Sequence, residues 1–175
     1  MTERPRSADA NVRPPFLIRT LDVPEKDGSY EGRSEHFAFS RPIGKAAGLQ
    51  RMGLHLERVP PGERISLPHA ESNEEEFVYV LSGTVEAWVD GHVFTMVAGD
   101  LAAFPAGTGI AHTFLNESAV EALLLAGGEA SKEDNKIVYP VDRDRDERLG
   151  DRLWKDAPAR KLGLHAGKPT RQGGF

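Results

Sequence analysis

The sequence has no cysteine, which excludes disulfide frameworks, thiolate nucleophiles, zinc fingers and iron–sulfur clusters. Any metal chemistry must therefore come from its six histidines and its carboxylates. No run approaches the roughly 18 apolar residues of a membrane span. Residues 122–128 are among the most apolar and fall far short. The N-terminal MTERPRSADANVRPP lacks the apolar centre of a signal peptide, so a cytoplasmic protein with no membrane partner is expected. A basic excess is missing too: 22 Lys and Arg stand against 27 Asp and Glu, a net charge of -5. Phosphate-backbone binders carry the opposite balance or a basic stripe. With no helix-turn-helix pattern in view, no nucleic-acid partner is expected. Internal repeats of solenoid period and low-complexity tracts are also absent.

What is present is enough for one domain. The 175 residues are 39% hydrophobic and 28% charged, a globular composition long enough to bury a sizeable core without staples. Three stretches differ in texture. Residues 1–48 form a polar, proline-punctuated arm with little periodicity; its apolar run Phe16-Leu17-Ile18 is expected to dock on the main body. Residues 49–126 carry the period-two alternation of strands. Met52, Leu54 and Leu56 alternate with Gly53, His55 and Glu57, and further strands are expected over 76–81, 85–89, 93–97, up to Phe104, 112–116 and 121–125. Asp90-Gly91 suits a type I′ hairpin, which needs positive φ at both positions. Residues 127–175 make a charge-rich tail, pinned by Trp154 and by Ile137-Val138-Tyr139. Short strands at near-regular spacing, broken by Gly and Pro, predict an all-β sandwich or barrel.

Chemistry concentrates in two blocks, GERISLPHAESNEEEFVYVLSG (residues 62–83) and GDLAAFPAGTGIAHTFLN (residues 99–116). Residues two apart on a strand share a face, so His69 and Glu71 point the same way if that segment is extended. Glu76 begins the next strand across a short turn, and His112 begins another. Two imidazoles with one carboxylate make a facial triad that leaves open positions, suited to a divalent transition metal such as Mn, Fe, Zn or Ni. His69, Glu76 and His112 have that composition. Glu74 and Glu75 read as a solvated face. His55 reads as a core or surface histidine unless the barrel interior lies on its side, and Phe114 shares the His112 face as a candidate pocket wall. Gly107-Thr108-Gly109 is no phosphate loop, since neither a helix nor a Lys-Ser/Thr follows.

These two blocks resemble the paired motifs of the cupin superfamily. Gly62, His69, Glu76 and Gly83 match the first motif, and Gly99, Pro105, Gly107, His112 and Asn116 the second, with a slightly longer loop before the histidine. One departure stands out: Glu71 occupies the second position of the family's His-x-His. Glu71 is then either a fourth ligand, tilting the site towards Mn or Fe, or a free carboxylate beside the metal, able to act as a proton acceptor. A third reading has the metal lost and Glu71 solvated. The resemblance implies a jelly-roll barrel (a double-stranded β-helix) with arm and tail outside, a metal site of His69, Glu71, Glu76 and His112, Glu71 as catalytic base and a small-molecule ligand. With the arm and tail included, the match is to small single-domain bacterial cupins described as sugar-phosphate isomerases or mannose-6-phosphate-isomerase-like proteins. Under that description Arg64 is the nearest candidate to grip a phosphate. An iron-dependent dioxygenase and a non-catalytic binding module are the alternatives, because this fold hosts many functions. Apolar arm residues and sheet edges that need covering lead to the expectation of a homodimer.

Overall fold

In the structure, a computed structural model, residues 13–30 and 32–170 are described; the start of the arm and the end of the tail lie outside them. The strands are β1 (Lys26–Asp27), β2 (Phe39–Arg41), β3 (Met52–Val59), β4 (Ala70–Glu71), β5 (Glu76–Ser82), β6 (Thr84–Val89), β7 (His92–Val97), β8 (Leu101–Phe104), β9 (His112–Leu115), β10 (Ala122–Glu129) and β11 (Ile137–Val138). Two short helices, α1 (Ile43–Ala46) and α2 (Arg143–Glu147), flank them. All pairings between strands are antiparallel. A six-stranded sheet runs β1-β2-β3-β10-β5-β8, a three-stranded sheet runs β7-β6-β9, and β4 pairs with β11. Isolated bridges Arg64–Leu115 and His69–His112 extend the second sheet along the segment leading to β4.

Alternation decides which faces meet. On β5 the apolar residues Val78 and Val80 turn inward with Glu76, leaving Phe77, Tyr79 and Leu81 on the other face. Val59 from β3, Ala122 and Leu124 from β10, Phe104 from β8, Val85 and Ala87 from β6, Met96 from β7 and Phe114 from β9 complete one buried cluster between the sheets. This is the two-layer antiparallel barrel that the strand spacing predicts. Each large side chain so buried stabilises the fold by roughly 1.5–3 kcal/mol. Asp90 and Gly91 adopt φ of 47° and 84° in the β6–β7 hairpin. A Cβ at Gly91 would also press on the backbone of Gly163 in the tail, so two constraints select glycine there.

The tail crosses the back of the smaller sheet. Trp88 is fully buried there with Ala70, Ala111, Leu115 and Trp154, and its Nε1–H donates to the His165 carbonyl at 2.8 Å. Arg160 Nε donates to Asp90 Oδ2 at 2.9 Å. Phe37, Leu67, Ile137 and Tyr139 form a further buried cluster. The arm departs from expectation at its apolar run. Phe16 and Leu17 are exposed, at a turn closed by the Leu17 N–H donating to the Pro14 carbonyl. Instead, β1 and β2 carry the arm onto the barrel, through pairing of β2 with β3.

Candidate metal centre

Backbone pairing brings the two histidines together. His69 N–H donates to His112 O at 3.2 Å and His112 N–H to His69 O at 2.9 Å. Such a reciprocal pair puts both side chains on the same face, and the ring centroids are 5.3 Å apart. Glu76, at the start of β5, comes from the facing sheet, where it pairs with Phe104. Phe104 stacks on His112 at 3.5 Å between ring centroids and an interplanar angle of 4°, fixing the imidazole plane. His112 Nε2 is then 3.1 Å and His69 Nε2 3.8 Å from Glu76 Oε2. The three potential ligand atoms lie within 4.8 Å of one another.

The other ring nitrogens explain the orientation. His69 Nδ1 sits 2.8 Å from the Leu67 carbonyl and His112 Nδ1 3.3 Å from the Ile110 carbonyl. A carbonyl can only accept, so it favours N–H at Nδ1 and leaves the Nε2 lone pair facing inward. Two imidazole lone pairs and a carboxylate then converge, and Glu76 Oε2 is buried without a hydrogen-bond partner. Donor-only convergence of this kind is complemented by a cation, and His₂-carboxylate sets suit transition metals at ligand distances of about 2.0–2.2 Å. Burial alone would raise the Glu76 pKa, but the nearness of His112, and then of His69, outweighs it and holds it at about 2. Burial lowers His69, opposed in part by Glu76.

A pH dependence follows. Metal binding needs neutral imidazoles, and His69 resists protonation until the pH is below the ordinary histidine value of about 6.5. Glu76 stays ionised throughout that range. Affinity measured calorimetrically should hold at neutral pH and fall as pH drops below about 6, with proton uptake on release. Affinity that is constant from pH 7 to about 4.5 would exclude imidazole ligation.

Glu71 lies outside that compact group of three but lines the same cavity. Burial and the carboxylates of Glu76 and Glu74 push its pKa up to about 8, and its Oε2 is buried without a hydrogen-bond partner. The cavity is about 800 Å³ and also takes in His55, Glu57, Ile65, Val78 and Ala126. An adjoining cleft of about 460 Å³ has an apolar wall of Met52, Phe77, Ala103, Phe104 and Pro105.

Several side chains are not where the sequence suggested. Arg64 is 1% exposed, paired with Glu35 at 2.8 Å and hydrogen-bonded to the Gly167 carbonyl. It does not line the cavity and cannot grip a ligand there; the partners that draw it away are distant in sequence. Lys45 is the one cation among the described lining residues of the main cavity, with Arg51 in the adjoining cleft. Phe114 packs in the core beneath the site instead of forming its wall. Glu74, expected on a solvated face, is buried and accepts from the Lys132 backbone N–H. Glu57 was missed as a site residue. Its signal was its place in the alternation, two residues before the inward Val59.

Comparison with known proteins places this geometry in context. The family described as Cupin domain matches residues 55–127. A sugar phosphate isomerase from a cupin superfamily, from Silicibacter pomeroyi DSS-3, is 31% identical; the match covers 70% of this chain and 80% of that one, with a TM-score of 0.66. The polyketide synthase CurC of Streptomyces cyaneus is 36% identical over 80 residues, 46% of this chain. This chain spans about half the length of that curated relative, 50%. The polyketide cyclase RemF of Streptomyces resistomycificus, 20% identical with a TM-score of 0.54 over 70% of this chain and 84% of that one, shares the fold. No helix among the described residues is long and apolar enough to cross a membrane.

Proposed function

The chain belongs to the cupin superfamily, and from that premise we propose that it is a metal-dependent enzyme moving a proton next to a carbonyl of a small polar molecule. The observation that carries this reading is Glu71, a half-buried carboxylate whose Oε2 is enclosed without a hydrogen-bond partner in the same cavity as the His69–Glu76–His112 group. Those three residues would hold the ion, and a bound divalent metal supplies Lewis-acid polarisation of a carbonyl oxygen. Glu71 accepts the proton at Oε2. Cationic charge nearby favours its ionised form, drawing its pKa down from about 8 towards neutrality. Val78, Ile65 and Ala126 exclude water around the reacting carbon and orient it.

Two relatives bear on the substrate. Isomerising a sugar and cyclising a polycarbonyl chain both involve loss of a proton beside a carbonyl, so one apparatus serves either. A phosphorylated end has Lys45 and Arg51 at the rim to reach, among Glu57, Glu71, Glu74, Glu76 and Glu129. That acidic surround disfavours an anion deep in the cavity. The apolar cleft of Phe77, Phe104 and Pro105 favours the second reading, a longer and less charged polycarbonyl substrate.

Glu71→Gln tests the core of the proposal. A neutral amide is a poor proton acceptor, so washout of α-protons from dihydroxyacetone in heavy water, followed by NMR, should slow by roughly 10²–10⁴-fold. Metal content by elemental analysis should stay unchanged. Joint loss of metal and washout would make Glu71 a ligand instead of a base.

A further inference from the structure

The inner face of β3 carries a second polar cluster that this reading leaves unused. Pairing of β2 with β3 sets Ser40 opposite Glu57, and alternation puts His55 on the same face as Glu57. Ser40 Oγ–H donates to Glu57 Oε1 at 2.7 Å, and Oγ is 3.0 Å from His55 Nδ1. The histidine and the glutamate are 3.9 Å apart, too far for a direct hydrogen bond. Serine is the bridge. The ends of the chain differ in exposure: the Glu57 side chain is 11% exposed and that of His55 43%. Both line the cavity that holds the candidate metal ligands.

Few other charges reach this cluster. Lys26 on β1 lowers His55 electrostatically, and Lys45 from α1 stands on the cavity wall. Arg58 points to the opposite face of β3, where Glu25 and Glu121 hold it. Across from Glu57 on β10 stands Leu124, with no charge.

We propose that Glu57, Ser40 and His55 form a proton relay joining the interior of the cavity to solvent. It rests on the proton-transfer function above. In the outward direction a protonated Glu57 gives its proton to Ser40 Oγ while the serine's own hydroxyl proton passes to His55 Nδ1. The imidazolium then loses its Nε2 proton to water. One proton has crossed: Glu57 is left ionised, Ser40 keeps a hydroxyl, and His55 is neutral as the Nδ1–H tautomer, which exchange with solvent resets. Inward transfer is the reverse. The energetics suit such a path. Burial raises Glu57 to about 7 against the Ser40 hydrogen bond, while burial and then Lys26 hold His55 below its usual value. Neither end traps the proton.

The test is an NMR titration of the metal-free protein. Glu57 should titrate near 7, with His55 reporting the same transition. Ser40→Ala should separate the two titrations, and Ser40→Thr, which keeps the hydroxyl, should restore the link. Independent titration in the unsubstituted protein, Glu57 titrating at the ordinary carboxylate value of about 4.3, or an intact link in Ser40→Ala would overturn the relay. In the dihydroxyacetone washout assay with the manganese-loaded protein, Ser40→Ala should slow exchange at least about tenfold. Added imidazole should recover it, and an unchanged rate would count against the relay. If the unsubstituted protein gives no washout, the proton-transfer function falls, and the titration still decides the relay.

Discussion

Replacing His112 by alanine is expected to abolish stoichiometric metal binding while the protein still unfolds in one cooperative transition. His112 supplies the nitrogen nearest to Glu76 Oε2, at 3.1 Å, and leaves only His69 and Glu76 of the compact group when removed. Loss of an outer-shell partner alone typically costs 10–100-fold in affinity, so loss of a direct ligand should exceed about 100-fold. The fold survives because the link between β9 and the His69 segment is made by main-chain atoms, which alanine retains. Truncation does open space beside Phe104, whose ring stacks on the imidazole, and a loss of roughly 1–3 kcal/mol is the usual scale for such a change. Elemental analysis and calorimetric titration with manganese and zinc provide the check. Unchanged metal content would mean that the ion, if bound, sits elsewhere.

The largest effect on stability is expected from Trp88→Ala. The indole is fully buried between the back of β6 and the crossing tail, and its N–H is satisfied by the His165 carbonyl. Trp→Ala in a packed interior costs about 3–5 kcal/mol, a large share of the 5–15 kcal/mol that holds a typical domain. Trp88→Phe separates the parts of that cost. It keeps most of the apolar contact but strands the carbonyl, which should account for about 1–3 kcal/mol. Urea unfolding gives the numbers, with an unchanged slope showing that stability and not the denatured state has moved. The alanine protein should also be cut faster by protease in the tail. A destabilisation below 1 kcal/mol would show that the tail does not bind as described.

Local pattern carried the sequence reading a long way. Alternation marked β3, β5, β6, β7, β9 and β10, and Asp90-Gly91 identified its own turn. The grouping of His69, Glu76 and His112 was readable because strand period and motif spacing both act over short range. Arg64 was misjudged for the opposite reason: its partners, Glu35 and Gly167, are 29 and 103 residues away, and no local pattern encodes them. Glu74 illustrates the same blindness, since a run of three glutamates looks solvated until the Lys132 backbone is brought over it. Glu57 was readable by position but not by role, because the serine that faces it arrives on β2, a strand too short and polar to announce itself. Phe16 and Leu17 show the converse, an apolar run that the chain leaves uncovered.

The crossing tail also sets a timetable for biosynthesis. Trp88 waits for a carbonyl 77 residues downstream, and Arg64 for one 103 residues downstream. At the usual 5–20 residues per second, the first of those intervals lasts about 4–15 s. For the last part of that time, once β10 has emerged, the ribosome presents a nearly complete barrel with its rear sheet bare. Contacts of such long sequence separation form slowly, so closure of the rear sheet comes last. Chaperone demand should therefore concentrate on the nascent chain between the emergence of β9 and that of Gly167.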